Sequence, residues 1–89
     1  MNATATKNQP RTLHEIAADI RRNWKDIRFN AKPYVDAMSQ IFSAEPNAPY
    51  LAENAKGIVT GFLANAGTWR GTEAKRIKDE LRKQYKIGK

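Results

Sequence analysis

Hydrophobic residues recur at three- and four-residue steps in four stretches of the chain, and proline, glycine and asparagine interrupt the pattern between them. The first stretch holds Leu13, Ile16, Ala17, Ile20, Trp24 and Ile27, the single stripe of an amphipathic helix. Thr12-Leu13-His14-Glu15 has the form of a capping box. In that motif the Thr hydroxyl accepts a backbone N–H and the Glu side chain reaches back to the cap. The spacing predicts a helix that opens at Thr12 and ends between Trp24 and Arg28. Arg21, Arg22, Lys25 and Arg28 fall largely outside its apolar stripe.

Phe29 to Pro33 reads as a connector, since proline disfavours helical geometry in the residue before it. Proline is comfortable in a first helical turn, so a second, short helix is expected from Pro33, burying Tyr34, Val35, Met38, Ile41 and Phe42. Ser43 to Pro49 carries two prolines and reads as a variable loop. A third helix is predicted from Tyr50 to Ala66 on Leu51, Ala55, Ile58, Val59, Phe62, Leu63 and Ala66. Gly57 and Gly61 lie four apart on a neighbouring strip, where bare backbone admits another helix, either within the chain or in a homodimer. Gly67 suits a left-handed helix cap. A last helix then runs to Tyr85 on Ala74, Ile77, Leu81 and Tyr85. Residues 1–11 hold no large apolar side chain after Met1 and read as a flexible polar arm ahead of a single domain over 12–87. No segment alternates as a strand. The expected fold is all-α: a compact bundle of three longer helices and one short one.

Composition narrows the chemistry. At 89 residues, the chain is too small to enclose a deep substrate cavity within one copy. Cysteine is absent, which removes disulfides, thiolate metal sites and a cysteine nucleophile. His14 is the one histidine, and with Glu15 and Asp19 it forms HExxxD rather than the HExxH of a zinc hydrolase. The carboxylates are scattered, and Asp79–Lys83, Lys75–Asp79 and Arg76–Glu80 read as ordinary helix pairs. No enzyme, metal or cofactor is expected. No run approaches the roughly 18 apolar residues of a membrane span, and the polar N-terminus does not read as a signal peptide. The expected location is the cytoplasm of a bacterial host cell.

Charge points to a partner. Lys and Arg number 16 against 9 Asp and Glu, and from Arg70 onward there are eight basic residues to three acidic. Such clustering steers polyanions and supplies phosphate contacts independent of sequence. Arg70, Lys75, Arg76, Lys78, Arg82 and Lys83 are the residues expected to meet an anionic partner. Arg21, Arg22, Lys25 and Arg28 join them if the first helix lies on the same side. The segment GTWRGTEAKR, residues 67 to 76, admits two readings. It is either a tight helix–helix turn with Trp69 packed inward, or a phosphate site built on Thr68, Gly71, Thr72 and the start of the last helix. It lacks the spacing and the lysine of a Walker loop. Trp24 is expected in the core. Trp69, at a turn, is expected at the core or its edge, with base stacking as the alternative.

IRRNWKDIRFNAKPYVDAM and GIVTGFLANAGTWRGTEAKRIKDEL resemble small helical proteins of bacteriophages and other mobile elements that have no established activity. The likeness is carried by Trp24-Lys25, Pro33-Tyr34, Ala37-Met38, Phe62-Leu63, Asn65-Ala66 and Trp69-Arg70-Gly71, with Ala74, Ile77-Lys78 and Glu80-Leu81. It implies a phage or plasmid accessory role. Two partners compete: nucleic acid held through its phosphates, or an acidic or nucleic-acid-binding host protein. In the second case the chain acts as an inhibitor of a nuclease or a CRISPR or other defence complex.

Overall fold

Four helices account for just over half of residues 10–88, the part of the chain that the computed structural model describes. They are α1 (Leu13–Asn23), α2 (Lys32–Met38), α3 (Ala55–Asn65) and α4 (Thr72–Tyr85). A two-stranded antiparallel hairpin, β1 (Pro49–Tyr50) and β2 (Glu53–Asn54), precedes α3. The fold is therefore mostly helical and not purely so. Strands of two residues are too short to leave an alternating pattern.

The capping box forms as its residues predict. Thr12 Oγ1 accepts from the Glu15 N–H at 3.1 Å, and the Thr12 N–H donates to Glu15 Oε1 at 2.8 Å. The next two N–H groups, of Leu13 and His14, donate to the Ser43 and Ile41 carbonyls at 3.1 and 2.9 Å. The extended chain after α2 thereby completes the start of α1, groups that a helix cannot satisfy by itself. The first three helices pack principally on their neighbours in sequence, and α4 packs on both α3 and α1, closing the circuit. Leu13, Ile16, Ala17 and Ile20 of α1, Val35 and Met38 of α2, Val59 and Phe62 of α3, and Ile77, Leu81 and Tyr85 of α4 fill the centre. Trp24 and Trp69 are both buried and lie face to face, their ring planes 1° from parallel and their centroids 5.1 Å apart.

Four expectations are corrected. The third helix begins at Ala55, five residues later than its apolar spacing suggests, because the hairpin uses Pro49 to Asn54 and Asn54 caps the helix through its Oδ1 on the Gly57 N–H at 2.9 Å. Leu51 sits at the hairpin tip with φ 55° and 89% exposure instead of in the core. Phe42 is also exposed: α2 ends at Met38, so the helical period no longer applies, and the ring stacks on His14 at 4.2 Å. Gly67 does not take the left-handed conformation. Gly71 is the glycine with positive φ, 112°, and it opens α4. The polar arm expected over residues 1–11 lies outside the described residues up to position 9, and Arg11 is tied to the domain.

Gly61 shows what the small-residue strip is for. A Cβ there would overlap the ring of Tyr34, so the close approach is that of α2 within the same chain. At Gly57 the Cβ would overlap the end of the exposed Glu53 side chain, which can swing aside, and would come within 3.4 Å of the Asn54 cap oxygen, about ordinary contact distance. Gly61→Ala is expected to lower stability by about 1–2 kcal/mol, overpacking outweighing the gain in helix propensity. Gly57→Ala is expected to raise it by about 0.5 kcal/mol. Urea midpoints of the two variants should move in opposite directions.

Candidate functional site

The basic residues of α4 divide between two faces that differ in their charge balance. On the face toward α1, Asp19 is only 5% exposed and collects three arginines. Arg11 reaches its Oδ2 at 3.0 Å, Arg76 reaches the same oxygen at 3.2 Å, and Arg22 reaches Oδ1 at 3.4 Å. Asn23 donates to Oδ1 at 2.8 Å. Arg11 also grips Glu80 through Nε at 2.9 Å and Nη2 at 2.6 Å, and Arg76 Nε donates to Glu73 at 2.7 Å. Three cations therefore meet three carboxylates. This face is neutral. Burial acts to raise the Asp19 pKa, but the hydrogen bonds and charges of Arg76 and Arg11 outweigh it and hold the carboxyl below its usual value.

The opposite side of α4 is different. The turn from α3 and the first turns of α4 enclose an open groove of about 400 Å³. Arg70, Lys75, Lys78 and Arg82 line it, with Trp69, Gly67, Gly71 and Ala74 between them, and Asp79 is the sole acidic residue in the lining. Asp79 pairs with Lys75 at 3.0 Å and with Arg82 at 3.4 Å, so four cations face one carboxylate. Lys78 registers the imbalance. Its pKa is lowered, first by burial and then by the positive charges of Arg82 and Arg70. Its ammonium donates to the carbonyls of Ala66 and Trp69, both at 2.7 Å, which fastens the end of α3 to α4. Lysine carries three donors, so one remains for a ligand.

A second, smaller depression of about 230 Å³ meets the first at Gly67 and is lined by Arg28, Asn30, Ala64, Asn65, Gly67 and Thr68. The positions expected to bind an anion thus separate. Arg70, Lys75, Lys78, Arg82 and Gly71 share the large groove, and Arg28 and Thr68 share the small one. Arg76 and Arg22 serve Asp19, while Arg21 pairs with Asp36 at 2.6 Å on the surface. Lys25, Thr72 and Lys83 are exposed outside both depressions. Of the helix pairs expected, Lys75–Asp79 forms; Arg76 takes Glu73 and Glu80 takes Arg11. The stacking role considered for Trp69 meets an obstacle, since one face of that ring lies on Trp24.

Residues not among the expected binding positions are Asn30, Asn65 and Phe29. Asn30 Nδ2 donates to Asn65 Oδ1 at 3.2 Å, bridging the α1–α2 connector to the end of α3. Phe29 is 81% exposed between two residues that line the small depression. Its position off the stripe that ends at Ile27 was the available signal. Among the described residues, no group of three or more His, Asp or Glu side chains could hold a metal ion, and no helix is long and apolar enough to cross a membrane.

Two measurements test these assignments. Because the folded-state pKa of Asp19 lies below its unfolded value, the stabilisation it supplies is complete above about pH 4 and is lost as pH falls through the lowered pKa. Asp19→Asn is expected to cost about 2 kcal/mol at neutral pH, with the gap from the parent protein closing below pH 4 in urea melts. The Lys78 Cε resonance is expected to titrate below the ordinary lysine value of 10.5, and to move back toward it when a polyanion occupies the groove.

Comparison with protein-family models, with curated proteins and with solved structures returns no match.

Proposed function

We propose that the protein is a non-enzymatic binder of nucleic acid that engages phosphates in the groove between the α3–α4 turn and α4. The observation that carries the reading is the convergence of Arg70, Lys75, Lys78 and Arg82 on one groove with a single carboxylate among them. A phosphate chain supplies negative charge at regular intervals and suits such a row better than an isolated anion does. The neutral face around Asp19 has no such surplus.

The experiment is binding of labelled DNA and RNA across a salt series. Affinity should fall steeply with salt. Arg70→Ala and Lys75→Ala should each flatten the slope by about one phosphate contact. Asp79→Asn should tighten binding, and Arg21→Ala, outside the groove, should leave it unchanged. Absence of salt-dependent binding at low ionic strength would remove the proposal.

A second reading, an inhibitor docking on a host protein, is favoured by Leu51, which is presented to solvent on a left-handed backbone at the hairpin tip. A non-glycine residue held there costs conformational energy. Capture of a host protein after nuclease treatment, lost in Leu51→Ala, would support it.

A further inference from the structure

We propose that the nucleic acid held in the groove is single-stranded, and that Phe29 is the platform on which one of its bases stacks. This rests on the phosphate-binding reading and specifies its substrate. The two depressions share Gly67 in their linings, and a Cβ added there would meet nothing within 4 Å. One depression is cationic. The other offers the amides of Asn30 and Asn65 and the hydroxyl of Thr68, with Arg28 as its one charge. A strand crossing Gly67 would therefore leave a phosphate-rich environment and enter one suited to a base edge.

Phe29 stands at that end. It belongs to the turn between α1 and α2 and is 81% exposed; it lies outside the lining of both depressions, but its chain neighbours Arg28 and Asn30 both line the small one. An aromatic ring beside a cationic track is the combination that proteins use for single strands: charge follows the backbone while rings receive the bases, with little regard for sequence. In a duplex the base faces are covered by their neighbours, so such a ring has nothing to stack on. Trp69 is not available for the task because Trp24 covers one face and the ring is buried.

The test is fluorescence anisotropy with a labelled oligothymidylate, an abasic strand with the same phosphates, and a duplex of the same length. The proteins compared are the parent, Phe29→Leu, Phe29→Trp and Arg70→Ala. The parent should bind the oligothymidylate about tenfold tighter than the abasic strand. Phe29→Leu should lose that margin on the oligothymidylate, lose nothing on the abasic strand or the duplex, and keep the salt slope; Phe29→Trp should restore the margin. Because the ring is exposed, Phe29→Leu should melt as the parent does. Equal binding of the oligothymidylate by the parent and Phe29→Leu would overturn the stacking proposal, as would equal binding of thymidylate and abasic strands by the parent. If Arg70→Ala still weakened binding in those cases, the phosphate reading would stand without it. No salt-dependent binding of any of the three probes would overturn both.

Discussion

A carboxylate shielded from water cannot be left alone, and Asp19 imposes that requirement on three separate parts of the chain. Arg11 comes to it from before α1, Arg22 from the next turn of its own helix, and Arg76 from α4. Truncating one side of such a cluster leaves charge without compensation, which costs more than the intact cluster contributes. The α1–α4 contact that closes the helical circuit is therefore both apolar and ionic. Arg11 extends the tie by holding Glu80, one turn further along α4.

The geometry of α4 then determines where free positive charge can exist. Ala74, Ile77, Leu81 and Tyr85 form the inward stripe. Glu73, Arg76 and Glu80 form a second, spent on α1 and Arg11. Lys75, Lys78, Asp79 and Arg82 form a third, which faces the groove. These sets follow the three- and four-residue steps that place side chains on one side of a helix. Two of them neighbour the core on opposite flanks, so charge balance on one is no guide to the other. Lys78 belongs to the groove yet reaches across the core edge to the Ala66 and Trp69 carbonyls, the first of which also accepts the Trp69 N–H at 3.1 Å.

Much of the fold was legible because it depends on local spacing. The α1 stripe as far as Trp24, its capping box and the end of α4 at Tyr85 follow from residue type at helical intervals. The start of α3 did not, since Leu51 falls in register with the helix while Asn54 supplies a competing cap and the hairpin consumes the preceding residues. Phe42 misled for the same reason: the period continued in the sequence after the helix had stopped. The candidate site was half legible. Its residue types were evident from the excess of Lys and Arg after position 70, but neutralisation is a tertiary property. Nothing local pairs Arg76 with Asp19, 57 positions away; the Arg22–Asp19 pair, three positions apart on α1, is local and was passed over. Phe29 was passed over because an aromatic residue in a connector carries no periodic signal.

The separation of duties along α4 bears on how this chain could evolve. A position on the groove stripe can change its charge or its length with little effect on folding, because its side chain supports no part of the core; the inward stripe and the Asp19 partners have no such freedom. Drift in ligand preference is thus open at Lys75, Arg70 and Arg82 without a matching change elsewhere. Lys78 is the exception, since its ammonium both joins α3 to α4 and faces the groove. A lineage could retune every other cation in the groove and still be obliged to keep a long, donating side chain at that one place.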